Sequence, residues 1–266
     1  MSKKQFSEYL IQSVLHAFDV LNIFIVSNVK ELGVTDLSKR MRLPKNNVFR
    51  LLSTLCHQGY IEQNVMTGNY RLGVKCFELG QAFWRRMGLV SQAHDILDSL
   101  AIKTLETVYL SVYDRGEIIY IDMVETPRPV RIIPMLGRRS PLFCTSAGKV
   151  QVAYRSVEEI RKLLKDIGLK PYTKNTIVSD VEMLQHLEMV RRQGYALDKE
   201  EYEEDVICLA APIYDYTENV VAGICISGPI QRMSAERLET ELIPLIKRVA
   251  VEISQRLGYG TQVPSK

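Results

Sequence analysis

Apolar residues recur at helical spacing through the first sixty positions. Between Tyr9 and Phe24, the residues Ile11, Val14, Leu15, Phe18 and Leu21 predict a helix with one inward stripe. Thr35 stands where a side chain caps a short second helix that turns Leu37 and Met41 inward. Leu43-Pro44 breaks that helix, because proline has no N–H and restricts the residue before it. From about Lys45 to His57, Val48, Leu51, Leu52 and Leu55 fall at i, i+3, i+4 and i+7. The opposite face carries Lys45, Asn46, Asn47, Phe49, Arg50, Ser53 and Thr54. Gly59 predicts a left-handed helix end. Two extended runs, 60–63 and 69–72, then flank the turn-like Asn64-Val65-Met66-Thr67-Gly68. Two short helices alone also describe an ordinary helical hairpin with a solvated face. The third helix and the hairpin favour a winged helix-turn-helix over residues 1–72. Cationic and amide groups on such a helix suit phosphates and base edges.

The pattern then changes. Residues 73–88 read as a linker helix in which Val74, Phe77, Phe83 and Trp84 are large for a lone connector. They pack either on the first domain or, as the sharper expectation, on a second subunit. Residues 89–266 mix periods of 3.6 and 2. A helix is predicted over Val90–Thr107, and strands over Val108–Asp114, Glu117–Glu125 and Val130–Met135. Ser146–Arg155 reads as a helix that starts on small residues, and Ser179 with Glu182 as a capping box for a helix reaching about Gln193. Further strands are expected over Tyr195–Asp198, Val206–Asp215 and Val220–Ser227. Ser234 then caps a helix striped by Leu238, Leu242, Ile246, Val249 and Ile253. The fold class is α+β with a largely antiparallel sheet.

Composition narrows the function classes. The chain has 266 residues, 46% hydrophobic and 24% charged, which allows a small domain and a larger one with its own core. Residues 1–72 hold nine cations against five anions, a net of +4, whereas the whole chain is +3. The basic excess therefore sits on the helix-turn-helix. It is modest, which suits binding by two copies. The wing tip carries little of it. The sequence has no apolar signal core and no apolar run of membrane length, so a cytoplasmic protein is expected.

Candidate chemistry is sparse. Five cysteines at irregular spacing, without a CxxC, fit free thiols rather than disulfides or structural zinc. P-loop, GxGxxG and GxSxG motifs are absent, and no cofactor is expected. Cys208 lies in the apolar run 206–211, where a thiol ordinarily serves as a small hydrophobe. The acidic residues Glu200, Glu201, Glu203, Glu204 and Asp205, with Asp198, suit either a metal site or a solvated loop. The alternatives to a regulator are a cysteine-dependent enzyme using Cys208 and a DNA-binding protein without a ligand.

An ordered set of segments resembles the IclR family of bacterial transcription regulators. It comprises Gly59-Tyr60-Ile61, Asn69-Tyr70-Arg71-Leu72-Gly73, Pro141-Leu142, Ser146-Ala147-Gly148-Lys149, Arg191 to Asp198, Cys208-Leu209-Ala210-Ala211-Pro212 and Val221 to Pro229. The resemblance implies an N-terminal winged helix-turn-helix and a C-terminal effector-binding domain related to the GAF fold. It implies homodimers, often paired into homotetramers, on palindromic double-stranded DNA operators. It also implies a small-molecule effector, commonly a carboxylate, and both repression and activation occur among members, with repression the sense expected here. By the same resemblance the effector sits at the helix start near Ser146 and Ala147, where free N–H groups suit an anion. Its contacts correspond to Asp198, Cys208, Cys225 and Ser227, and Ile132, Met135, Leu142 and Val206 read either as apolar liners of the pocket wall or as plain core. Cys225 and Ser146 depart from the small hydroxyl residue and the glycine of some members. On the DNA side, Asn46-Asn47 replace a hydroxyl pair. Thr35, Lys45, Asn46, Asn47, Phe49, Arg50 and Ser53 make up the candidate DNA face.

Overall fold

The computed structural model describes residues 10–27, 29–86, 88–132 and 136–260, with only the backbone of 83–86. The chain forms two compact units, Met1–Arg86 and Met87–Lys266.

The first unit contains α1 (Gln12–Val26), α2 (Val34–Met41), α3 (Lys45–His57), a hairpin of β1 (Ile61–Gln63) and β2 (Tyr70–Leu72), and α4 (Val74–Arg86). Its core gathers Val20, Phe24, Leu32, Leu37, Val48, Leu52, Leu55, Ile61 and Tyr70. In α1 the stripe read from the sequence is not the buried one. Val20 and Phe24 are buried, whereas Ile11, Val14 and Phe18 are exposed. The helix is apolar on two sides, and periodicity cannot say which side meets the core. Thr35 is likewise not a cap. It lies inside α2, whose N-cap is Gly33, and the Gly33 carbonyl accepts from Leu37 N–H. α2 ends before the proline. Arg42 turns left-handed at φ 54°, Leu43 N–H bonds back to Ser38 O, and Ser38 Oγ donates to Leu43 O at 2.6 Å. Gly59 takes φ 76° after α3, and Tyr60 N–H returns to Leu55 O as in a Schellman end. Val74 and Phe77 of α4 are exposed, and the side chains of Phe83 and Trp84 lie outside the described residues.

The second unit is a six-stranded antiparallel sheet between two helical layers. Its strands are β3 (Thr107–Asp114), β4 (Glu117–Val124), β5 (Arg139–Pro141), β6 (Ala196–Lys199), β7 (Val206–Tyr214) and β8 (Val220–Pro229). They lie in the order β5-β4-β3-β8-β7-β6. On one face, Val108, Leu110, Leu209, Ala211, Ile224 and Ile226 pack under α5 (Gly88–Thr104) and α10 (Ile243–Arg256). On the other, Tyr109, Ala210 and Cys225 pack under α6 (Ser146–Val152) and α8 (Asp180–Gln193). The period of 2 along each strand sends alternate residues to the two cores. α7 (Val157–Ile167) completes the second layer. A short α9 (Ala235–Arg237), capped by Ser234, runs through a π segment, Leu238–Leu242, into α10. The predicted stripe Leu238, Leu242, Ile246, Val249 and Ile253 is buried throughout.

Several expectations need correction. Val130–Ile132 forms no strand, and residues 133–135 lie outside those described; the edge strand is β5 instead. Ser179 caps α8, accepting from Glu182 N–H at 3.4 Å, but no reciprocal bond from the Glu182 side chain accompanies it. The reciprocal capping box belongs to Ser156 and Glu159 at the start of α7, a helix absent from the sequence reading. Its signal was present, since Ile160, Leu163, Leu164 and Ile167 fall at i, i+3, i+4 and i+7.

Candidate functional site

The first candidate surface is the outer face of α3. Burying Val48, Leu52 and Leu55 turns Lys45, Asn46, Asn47, Phe49, Arg50 and Ser53 to solvent. The side chains of Lys45, Asn46, Asn47 and Arg50 make no hydrogen bond or ion pair with any described residue. Ser53 Oγ donates to Phe49 O and Thr54 Oγ1 to Arg50 O, so these hydroxyls are tied to their own helix. Thr35 is exposed on the first turn of α2. Amides, a lysine and an arginine left unpaired on one helix can reach base edges and phosphates together.

The second candidate is a cavity of about 80 Å³ in the other unit, at the edge of the α6–α8 side of the sheet. It brings together Ile132, Asp198, Val206, Cys208 and Ser227 from the sequence reading. The register explains how. Cys208 on β7 pairs with Ser227 on β8, and Asp198 on β6 pairs with Cys208, so residues distant in sequence stand side by side. Ser146 and Ala147 are buried in the first turn of α6 and do not line the cavity. Thr145 Oγ1 already accepts from Gly148 N–H there, at 3.2 Å. A Cβ on Gly148 would lie 1.9 Å from Leu142 O, so the helix can cross this segment only with glycine. Cys225 is buried behind the lining, 4.0 Å from Ser111 Oγ. Leu142 lines a separate cavity of about 100 Å³ with Cys144 and Tyr172, and Met135 lies outside the described residues.

The sequence reading missed Tyr109, Tyr120, Arg138, Ser140 and Tyr202, which complete the lining together with Glu203, read there only as part of an acidic cluster. Tyr109 was detectable in principle, because it alternates with the core residues Val108 and Leu110. The others depend on the fold. Tyr109 and Tyr120 meet edge to face at 4.8 Å. Tyr109 OH donates to Cys208 Sγ at 3.5 Å, and Cys208 Sγ lies 2.8 Å from Ser227 Oγ. Burial pushes the Cys208 thiol up to about 12, so it stays protonated and is a poor nucleophile. Asp198 Oδ1 accepts the N–H groups of Glu201 at 2.7 Å and Tyr202 at 3.4 Å. Burial outweighs those bonds and raises its carboxyl to about 7. Exposed Arg138 has no carboxylate partner among the described residues, which leaves a cation free at the cavity.

Behind the cavity, Lys149 of α6 is fully buried. Its Nζ donates to Leu197 O at 3.1 Å and pairs with Glu201 Oε1. That pair ties the loop bearing Tyr202 and Glu203 to α6. Glu201 Oε2 has no partner among the described residues, and burial raises this carboxyl too. No cluster of metal-ligating side chains occurs among the described residues.

Comparison with known proteins follows this division. The IclR helix-turn-helix domain model matches residues 13–65, and the bacterial transcriptional regulator IclR C-terminal model matches residues 81–255. The HTH-type transcriptional regulator KdgR of Escherichia coli is 36% identical over 249 residues, 94% of each chain. The transcriptional repressor IclR of the same organism is 34% identical, over 94% of this chain and 90% of that one. The crystal structure of Thermotoga maritima IclR superposes with a TM-score of 0.78 at 33% identity, over 93% of this chain and 99% of that one.

Proposed function

The chain belongs to the IclR family of bacterial transcription regulators, and from that premise we propose that it is a repressor released or tightened by a small carboxylate. The observation that carries the reading is the outer face of α3, where Lys45, Asn46, Asn47 and Arg50 stand exposed without internal partners. In the major groove, asparagine bonds adenine and arginine bonds guanine in bidentate fashion. Lys45 positions the helix on phosphate, and Thr35, Phe49 and Ser53 flank it.

The effector site in this reading is the cavity of Tyr109, Asp198, Cys208 and Ser227. Arg138 meets the carboxylate. Asp198, which keeps its proton up to about pH 7, and the hydroxyl and thiol groups bond the rest of a small oxygen-rich molecule. Ser146 and Ala147 act from behind the lining, and Cys225 shapes the pocket floor. Binding shifts the balance between DNA-competent and incompetent arrangements by its difference in affinity for the two.

Two copies act together, as a dimer or a pair of dimers on a palindrome, with half-sites about 34 Å apart. An apolar groove of about 710 Å³ on the first unit supports this. It exposes Val14, Phe18, Leu72 and Leu79 to solvent in a single chain, over the half-buried Leu21 and Leu51. No helix of the described residues is long and apolar enough to cross a membrane, and we place the protein with the DNA, in the cytoplasm.

Selection from a random duplex library tests the DNA reading, and a thermal-shift screen of small carboxylates tests the effector. A ligand that binds only the folded state must raise the melting temperature. If no duplex is preferred over random competitor in a salt-sensitive way, the repressor reading fails. If no carboxylate stabilises the chain, the effector class fails alone.

A further inference from the structure

The wing ends in two side chains for which the fold has no use. Val65 and Met66 are 94% and 89% exposed, more than any other large apolar residue among those described. The turn that carries them is nevertheless firmly held. The Glu31 carboxylate receives Asn64 Nδ2 at 2.7 Å and Thr67 Oγ1 at 2.8 Å. Asn64 Oδ1 accepts Met66 N–H at 2.9 Å, Gly68 N–H closes on Asn64 O at 2.8 Å, and Gln63 Nε2 reaches Gly68 O at 3.0 Å. Gly68 supplies the left-handed residue, at φ 69°. At the base of the wing, Leu32 and Tyr70 exchange both backbone bonds at 2.9 Å.

A fixed turn that holds apolar groups in water has little ordering cost left when those groups enter another surface. Residues 64–69 contain no lysine or arginine, so the tip is not built to grip phosphates. Two side chains at the end of a narrow hairpin match a narrow cleft better than a broad protein face. The DNA minor groove, about 6 Å wide, is such a cleft. Apolar side chains enter it between base steps, unstacking them and bending the duplex. The hairpin is also placed for this, since Ile61 and Tyr70 share one core with Leu52 and Leu55 of α3.

We propose that Val65 and Met66 form a wedge that enters the minor groove beside the α3 site and opens a base step there. The chain then selects operators partly by how readily the flanking step deforms, which favours pyrimidine–purine steps. This rests on the reading of α3 as the major-groove element.

The test uses the full chain and the duplexes it recovers from a randomised library. 2-Aminopurine at the flanking steps reports unstacking, and end-to-end energy transfer reports bending. The wild-type chain is expected to brighten 2-aminopurine at one flanking step, to bend the duplex, and to enrich pyrimidine–purine steps there. The variant Val65→Ser with Met66→Ser should lose all three effects and bind about tenfold more weakly. It should keep the wild-type dependence on salt, because no phosphate contact is removed. Both positions are on the surface, and an unchanged melting temperature verifies folding. If the variant unstacks and binds as the wild type does, the wedge is overturned. It is equally overturned if the wild type binds its selected duplex without unstacking it. Arg50→Ala separates the two readings. It should weaken binding yet still unstack the step at saturating protein, whereas a wild-type chain that selects no duplex removes the α3 reading and the wedge together.

Discussion

Helices α1, α2 and α3 begin after Ile11, Gly33 and Pro44, and no side chain caps any of them. Helices α6, α7, α8 and α9 begin after Thr145, Ser156, Ser179 and Ser234, and each of these hydroxyls accepts a backbone N–H. The same contrast holds for side chains. On α3 Lys45, Asn46, Asn47 and Arg50 point outward and unpaired, whereas in the cavity Tyr109, Cys208 and Ser227 bond one another. The first unit keeps hydrogen-bonding capacity for an external partner. In the cavity of the second, the hydroxyl and thiol groups are bonded to one another and Arg138 stands without a carboxylate partner among the described residues, so a ligand that uses the former must replace bonds that already exist. Affinity for the duplex is therefore a surface property that substitution can remove without unfolding anything. The cavity and the stability of its unit are bound together.

The largest effect should come from the buried ion pair. Lys149→Met leaves Glu201 without its cation in a closed site, a loss of about 3–5 kcal/mol for a broken buried pair. Urea unfolding followed by probes in each unit should show the second unit destabilised and the first unchanged. Adding Glu201→Leu should recover much of the loss, because two apolar groups remove both the charge and its desolvation penalty. An equal fall in both units would show that they share one stability and would break the comparison.

Asp198 comes next, and the sign of its effect follows from its raised carboxyl. The group moves from 3.8 to about 7 on folding. Between those values the folded chain holds a proton that the unfolded chain has released, so stability falls as pH rises through the window. Asp198→Asn removes that slope. From pH 5 to pH 7.5 the variant should gain about 3 kcal/mol relative to wild type, at about 1.4 kcal/mol per unit of separation. A pH-independent difference in urea unfolding would place Asp198 in water rather than in the cavity wall.

Arg50→Ala should leave melting unchanged and cost about 1–3 kcal/mol of binding to the selected duplex, if the guanidinium reads a base. Anisotropy titrations on selected and random duplexes decide the matter. A loss of the same size on both would assign Arg50 to phosphate instead.

This contrast also explains what the sequence disclosed. The α3 face is one helix, and the spacing of Val48, Leu51, Leu52 and Leu55 alone separates its inside from its outside. The cavity is drawn from β3, β4, β5, β6, β7, β8, from Ile132 and Arg138, and from the segment 202–203. Nothing in Tyr120 or Arg138 by itself points to Asp198; only strand order and register bring them together. Leu142 is apolar and only two residues from Ser140, yet it lines a different cavity, because β5 ends at Pro141 and the strand alternation that would place both on one side stops there. Val14 and Phe18 were legible as apolar but not as exposed. A helix with two apolar sides needs its neighbours before either can be called core.

The smallest effect tests whether the division between the units is complete. Ser156 Oγ accepts Glu159 N–H at 3.2 Å, and Ser156 N–H donates to Glu159 Oε2 at 3.0 Å. Ser156→Ala removes the first bond, and with it the donation from Ser156 Oγ to Glu159 Oε2 at 3.0 Å, and keeps the second, because the backbone N–H remains. A lost N-cap costs about 1 kcal/mol, and the loss should appear in the second unit alone. α7 gives no side chain to the cavity of Asp198 and Cys208, so the affinity of any ligand found for that cavity should not change either. Ser156→Ala is therefore a purely energetic perturbation of the effector unit. If it nonetheless alters the affinity for the selected duplex in the absence of any ligand, then the stability of the second unit itself sets the DNA-binding state of the first. The effector would then act by adding stability rather than by reshaping the cavity.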